Sequence, residues 1–279
     1  MVGEGHTRED TATMTEHILV GPHAVLEALR ARRRHVDRIY LARERYDPRI
    51  AEIVKRARDL GVPSTQEKRE RLDELAKGVT HQGVLAVVSE VGYDDPFALV
   101  TRIRAATPLP LLLLLDGVQD PQNLGAIIRT AEAAGADGLF ISKHRAVGIT
   151  PAVAKASAGA VEHLPVARVA GLPAFLAWLK DQGVWILGAD PSAVQSLYEI
   201  DLSASMGVVI GGEHRGLTVL VRQRCDLLAR IPTHGRVDSL NAAAAAAVFL
   251  FEIRRQRSIT KQLSANGQET AIVAQEHPQ

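Results

Sequence analysis

Three polar clusters follow apolar runs in this sequence, and each carries side chains that could do chemistry. "DGVQDPQNLGAIIRTAEAAG", residues 116–135, comes directly after "LPLLLLL". Its Leu124, Ile127, Ile128 and Ala131 recur at helical spacing, so a helix is expected with Arg129 off the buried stripe. Gln122, Asn123, Gly125 and Arg129 then make a helix mouth rich in donors, which suits an anion such as a nucleic-acid phosphate. Taken alone, Asn123 reads as the helix cap and Arg129 as a surface charge. In "VVIGGEHRGL", Gly211 and Gly212 allow backbone to approach a ligand closely, and Glu213 puts a carboxylate at a strand end. Alone, this is a tight glycine turn with an exposed Glu. In "RIPTHGRVDSLNAAAAAAVFLFE", Pro232 and Gly235 punctuate a loop. Asp238 and Ser239 read as caps of the final helix, with Asn241 in its first turn. The alanines after Asn241 let another backbone or helix pack very close.

Several chemistries are excluded by what is missing. No G-x-G-x-x-G follows a strand, no G-x-x-x-x-G-K-[ST] is present, and neither G-x-S-x-G nor H-E-x-x-H occurs. Cys225 is the only cysteine, so no disulfide forms within the chain and no cysteine-based zinc site is available. No spacing of histidines and carboxylates supports a metal. The 279 residues are 46% hydrophobic and 23% charged, with net charge +1, which is the profile of a soluble globular protein with room for two domains. Charge is locally concentrated. "ALRARRRHVDR" holds Arg30, Arg32, Arg33, Arg34 and Arg38, and "FEIRRQRSITK" holds Arg254, Arg255, Arg257 and Lys261. Such stretches either meet phosphates or form solvated helix ends. The first 16 residues are polar without an apolar signal core, and no apolar run is long enough to span a bilayer. The expected location is the cytoplasm.

The clusters need strands and helices to hold them. After a disordered tail over 1–16, the pattern from 17 to 92 predicts a small α/β unit. It has helices at "GPHAVLEALRA", "DPRIAEIVKRARDLGV" and "EKRERLDELAKG", and strands at "VDRIYLA" and "QGVLAVVSEV". Residues 93–107 read as a linker around a short helix. Residues 108–257 alternate strands and helices, which predicts a mostly parallel sheet covered on both faces. In such sheets ligands bind beyond the carboxyl ends of strands, where the three clusters fall. Residues 258–279 read as a polar, frayed C-terminal tail.

The three clusters, in this order and near the C-terminus, resemble the motifs of the SpoU, or TrmH-type, RNA ribose 2'-O-methyltransferases. "GPHAVLEAL" and "HQGVLAVV" are similar to the start and end of that family's N-terminal substrate-binding domain, so the resemblance covers about residues 17–257. Thr233 departs from the Met found in many members, and the alanines after Asn241 are smaller than usual. The layout is most similar to the family's ribosomal RNA enzymes, antibiotic-resistance enzymes included. The resemblance implies a SPOUT-type α/β knot, in which a mostly parallel sheet is threaded into a deep trefoil knot. It also implies a homodimer built on the knotted region, S-adenosyl-L-methionine as methyl donor, and RNA, ribosomal RNA first, as partner, with a guanosine of large-subunit rRNA as the expected target. Another rRNA nucleotide, tRNA, or a non-catalytic RNA-binding role in ribosome assembly are the alternatives.

The resemblance also assigns residues. Gly211, Ile231 and Leu240 match cofactor contacts, joined by Gly188, Ala189, Ile210 and Pro232 in the adjacent loops. Arg129 matches the residue the family assigns to catalysis. A guanidinium essentially never deprotonates, so gripping phosphate and stabilising a developing alkoxide suit it better than acting as a base. Asn123 is expected to orient Arg129 or the ribose, Glu213 to pair with Arg129, and Ser239 and Asn241 to bind phosphate and brace the cofactor loop.

Overall fold

A computed structural model describes residues 17–43, 48–213, 215–236 and 239–275, with side chains through 260. The N-terminal unit comprises β1 (His17–Val20), α1 (Pro22–Ala31), β2 (Val36–Ala42), α2 (Pro48–Asp59), β3 (Ser64–Glu67), α3 (Arg69–Ala76) and β4 (Val84–Val88). Its sheet runs β1-β4-β2-β3; β2 and β3 are parallel and the other pairings antiparallel. The helices and the two long strands lie where the sequence pattern puts them. β1 and β3 are additions. "STQE" has no apolar alternation, and it becomes a strand because the edge of β2 offers a row of hydrogen-bonding partners.

α4 (Pro96–Ala106) leads from this unit into the second sheet, its first turn capped by Asp95. The strands are β5 (Leu111–Asp116), β6 (Gly138–Ser142), β7 (Val166–Val169), β8 (Trp185–Ala189), β9 (Met206–Gly211) and β10 (Leu227–Ala229). They lie in the order β10-β8-β9-β5-β6-β7, and every pairing is parallel. All six residues of β5 are buried, which accounts for its unbroken leucine run. The covering helices are α5 (Pro121–Ala133), α6 (Pro151–Ala156), α7 (Leu172–Asp181), α8 (Val219–Arg224) and α9 (Ala242–Gln275), with 3-10 turns at Ala160–Glu162 and Leu197–Glu199. At Gly125 α5 crosses α6 so closely that a Cβ there would overlap Ala156. The chain moves from β5 to β6 and β7 on one side, then crosses to β8 on the other. The loops after β5 and β9 therefore diverge, which opens a crevice between them.

One further element differs from the sequence reading. The last helix, expected to end near Arg257, continues as helical backbone to Gln275, because the segment beyond Ser258 contains no proline. The expected tail over 1–16 lies outside the described residues. The arginine-rich stretches are also used differently. Arg34 and Glu162 form an ion pair between the two units, with side chains only 6% and 1% exposed. Arg33 donates to the Leu164 carbonyl at 2.9 Å and to Asp94 at 3.2 Å, and His163 meets Glu27 at 2.7 Å. Near the other end, Arg254 donates to the carbonyls of Ala134 and Gly135. Arg257 serves those of Leu109, Pro110 and Ala204. Neither stretch is simply a phosphate contact or a solvated helix end. The first serves largely to dock one unit against the other, and the second to bond backbone carbonyls within the second unit.

Candidate active site

α5 begins at Pro121, and its cap is Asp120, whose Oδ1 accepts the Gln122 amide at 3.0 Å. Asn123 is therefore not the cap, contrary to the simplest reading of the sequence. Proline at the first helical position sets the start, and the acid before it is placed to take the orphan donors. Asn123 is left free to face outward from the first turn. Its Nδ2 donates to Glu213 Oε1 at 2.5 Å, and its Oδ1 accepts from Asn241 Nδ2 at 2.8 Å. Asn241 is itself the cap of α9: its Oδ1 accepts from Ala243 at 2.8 Å and Ala244 at 3.4 Å. That capping fixes the polarity of the whole chain of bonds. With Asn241 Oδ1 taken by backbone donors, only its amide can reach Asn123. Asn123 must then accept there and donate to Glu213. One relay thus joins the three sequence clusters at the crevice.

Asp116, at the end of β5, holds the relay's surroundings together. Its Oδ2 accepts the Thr218 amide at 2.7 Å, and its carbonyl accepts the Gly212 amide at 2.9 Å. The loop after β9 is thereby tied to the end of β5. The glycine pair serves this crossing first. A Cβ at Gly211 would overlap the Gly216 carbonyl carbon, and one at Gly212 would lie 2.5 Å from the Gly117 carbonyl oxygen. The close approach read from the sequence is made by the protein's own backbone.

A cavity of about 540 Å³ opens beside the relay, over the ends of β8, β9 and β10 and the start of α9. Ala189, Ile210, Gly211, Ile231 and Leu240 line it, with Glu213 and Ser239 at its polar side. Gly188 and Pro232 do not. Gly188 is buried behind the wall, where a Cβ would lie 2.8 Å from Cys225 Sγ and from Leu228 Cδ2. Alternation along β8 turns that position inward while Ala189 faces the cavity. Asp190 and Ser192 also line the wall and were not singled out from the sequence, although an acid directly after a strand, in "LGAD", was a signal. Burial works against the charge of Asp190. Bonds from Ser192 and from Arg222 Nε at 2.5 Å outweigh it and hold the carboxyl below its ordinary value. Cys225 packs beneath the wall, where burial, and then the charge of Asp226, push its thiol up to about 12.

Arg129 is exposed on α5 and makes no hydrogen bond or ion pair among the described residues. It lies six residues past Asn123, about 9 Å along the helix axis. Glu213 sits at the helix mouth and takes the nearer amide, so the expected Glu213–Arg129 pair is replaced by Glu213–Asn123. Ser239 is exposed at the cavity, and Asp238 lies outside the described residues. No group of three or more potential metal ligands is found among the described residues, and no helix there is long and apolar enough to cross a membrane.

The stretches that build this sheet and the N-terminal unit both match known family models. Residues 110–251 match the SpoU rRNA Methylase family, and residues 18–93 match the model described as RNA 2'-O ribose methyltransferase substrate binding. The chain belongs to the SpoU rRNA methylase family. It is 40% identical over 239 residues to the 23S rRNA (guanosine-2'-O-)-methyltransferase RlmB of Coxiella burnetii, covering 86% of this chain and 95% of that one. It is 38% identical over 240 residues to the protein YacO of Bacillus subtilis, covering 86% of this chain and 96% of the other. The SpoU methyltransferase AviRb of Streptomyces viridochromogenes, solved in complex with AdoMet, superposes with a TM-score of 0.72 at 27% identity over 90% of this chain and 94% of its own.

Proposed function

We propose that this chain transfers a methyl group from S-adenosylmethionine to a ribose 2'-hydroxyl of RNA, with a guanosine of 23S rRNA as its target. The single observation that carries this reading is the Asn241–Asn123–Glu213 relay, which joins three separate loops at the rim of one cavity. The printed activity of the RlmB relatives supports the target, and the AdoMet complex of AviRb supports the donor.

The cavity fits that cofactor. Its volume of about 540 Å³ lies within the usual range for small-molecule sites, and Ile210, Ile231 and Leu240 supply apolar surface beside glycine backbone. Gly211, Ile231 and Leu240, with Ala189 and Ile210, would hold it, while Gly188 and Pro232 shape the wall from outside. When bound, it supplies a methyl group already activated on a sulfonium. The chain's own residues then have two tasks, alignment and charge. Fixing two reactants in line can remove several kcal/mol from a barrier. The relay holds Glu213 and Asn123 in one geometry at the acceptor side. Arg129, a free and permanent cation, grips a backbone phosphate and stabilises charge developing on the ribose oxygen. The proton leaves to a substrate phosphate or to water. Ser239 faces the acceptor side, and Asn241 braces the cofactor loop through its cap.

The same reading assigns RNA selection to residues 17–92 and methyl transfer to residues 108–257. It also includes the trefoil-knotted threading of the family and a homodimer. Leu240, Phe251, Val219 and Leu220 are exposed apolar residues on the cavity loop, α9 and α8, and they support such a pairing. The test is methyl transfer from labelled S-adenosylmethionine to 23S rRNA, with modified riboses mapped. A single 2'-O-methylguanosine is expected; methylation on a base, or none, overturns the reading. Arg129→Ala is expected to abolish turnover with cofactor affinity retained.

A further inference from the structure

We propose that the loop between β6 and α6 is a second RNA-backbone contact, in which Lys143, His144 and Arg145 hold phosphates flanking the reactive ribose. This rests on the RNA methyl-transfer reading above. Its evidence begins with a contrast between this loop and the arginines that hold the fold together. Arg30, Arg33, Arg34, Arg222, Arg254, Arg255 and Arg257 are all engaged with carboxylates or carbonyls. Lys143, His144 and Arg145 are consecutive, exposed, and without a hydrogen-bonding or ionic side-chain partner among the described residues.

Their backbone, in contrast, is pinned at both ends and between. The Lys143 amide donates to the Val169 carbonyl at 2.8 Å. The Val147 amide donates to the Val118 carbonyl at 3.0 Å, and Gln119 Nε2 donates to the Arg145 carbonyl at 3.4 Å. The Ile149 amide donates to Tyr93 Oη at 2.7 Å, and the Tyr93 ring lies under Arg168 at 4.3 Å. Arg145 itself is left-handed at φ 57, a conformation that costs energy for a residue with a Cβ and persists only where its surroundings hold it. The result is a fixed scaffold with free cations. Ordering entropy has already been spent on the backbone, so phosphates need not order it on binding.

Location completes the argument. β6 lies next to β5, so this loop leaves the same carboxyl edge of the sheet as the α5 mouth, one strand farther from the cofactor cavity. Two of its tethers, Val118 and Gln119, belong to the loop that presents Asn123. Its far end, at Ile149, is held by Tyr93 between the two units. The loop therefore bridges the acceptor site and the RNA-selecting unit, along the path a bound strand must follow. Two cations flanking an imidazole donor, with no counter-charge of their own, fit a polyanion's backbone, a contact that is independent of sequence.

The test uses the full-length protein, 23S rRNA and Lys143→Gln/Arg145→Gln. Each phosphate contact on a single strand contributes about 0.7 to the salt slope of log K, so the double variant is expected to flatten that slope by about 1.4 and weaken binding ~10–100-fold. KM for RNA should rise while S-adenosylmethionine affinity and the melting temperature stay unchanged. The charge-keeping pair Lys143→Arg/Arg145→Lys should restore affinity. Wild-type protein that methylates rRNA, beside a double variant with unchanged RNA affinity and salt slope, overturns this proposal alone. Loss of cofactor affinity or of fold in the double variant, unrescued by the charge-keeping pair, overturns it as well. Intact binding to protein-free rRNA, with binding to assembled large subunits lost, assigns the loop to a ribosomal protein instead. A wild-type protein that transfers no methyl group to RNA overturns the underlying reading.

Discussion

Asn123 decides how the site is held, because it both donates to Glu213 and accepts from Asn241. Replacing it by aspartate removes the donor and sets a second carboxylate against Glu213, and like charges at such range repel. Asn123→Asp is thus expected to cut kcat ~100-fold or more, by analogy with the loss of one preorganised donor, while calorimetry finds cofactor affinity little changed. Asn241→Ala breaks the relay and the cap of α9 together, so thermal or denaturant unfolding should show about 1 kcal/mol less stability in addition to the activity loss. Cys225 offers a pH test. Its folded-state pKa is raised from 9.0 to about 12, so the unfolded thiol ionises first. Stability from this group is present in full below pH 9 and is lost as pH rises from about 9 towards about 12. Thiol reagents at pH 8 should accordingly label Cys225 only after unfolding.

The loop after β9 owes its position to the strand beside it. Asp116 accepts the Thr218 amide at 2.7 Å, and Gly211 passes under Gly216 with no room for a Cβ. Asp116→Ala leaves that amide without its partner, which costs about 1–3 kcal/mol where water cannot replace it. Gly211→Ala forces the loop off the cavity wall. Its expected signature in binding calorimetry is loss of S-adenosylmethionine affinity, and retained wild-type affinity would show that the loop does not shape the cofactor site. The loop that lines the cavity is thus fixed from behind, through a strand end and a close backbone crossing.

Across the molecule, the two units are joined by the buried Arg34–Glu162 pair, bracketed by Arg33–Asp94 and His163–Glu27. Removing one member of a buried pair strands the other charge, at a cost of about 3–5 kcal/mol, whereas replacing both by apolar residues can be neutral. Arg34→Met should therefore loosen the junction, seen as faster proteolysis between β4 and β5 and a lower unfolding midpoint. Adding Glu162→Leu should recover much of both. If the single variant unfolds like the wild type, the junction is held by its apolar contacts alone. Because the N-terminal unit selects RNA in this reading, the single variant should also raise KM for RNA more than it lowers kcat.

Much of this was readable from the chain. The leucine run after Pro110 reads as a strand buried on both faces, and Leu111–Asp116 is one. The alternation of such runs with helical stripes made the sheet parallel, and a parallel sheet sends its loops, and so the three polar clusters, to one edge. Local chemistry within a few residues sufficed for that. It did not suffice for β3, whose "STQE" is a strand only because β2 lies beside it, or for the arginine-rich stretches, whose partners are carbonyls and a glutamate far away in sequence. Nor could it show that Asn123 bonds Asn241, 118 residues on, instead of capping its own helix. A side chain's type limits the bonds it can make, but which of them it makes depends on groups that only folding brings within 3 Å.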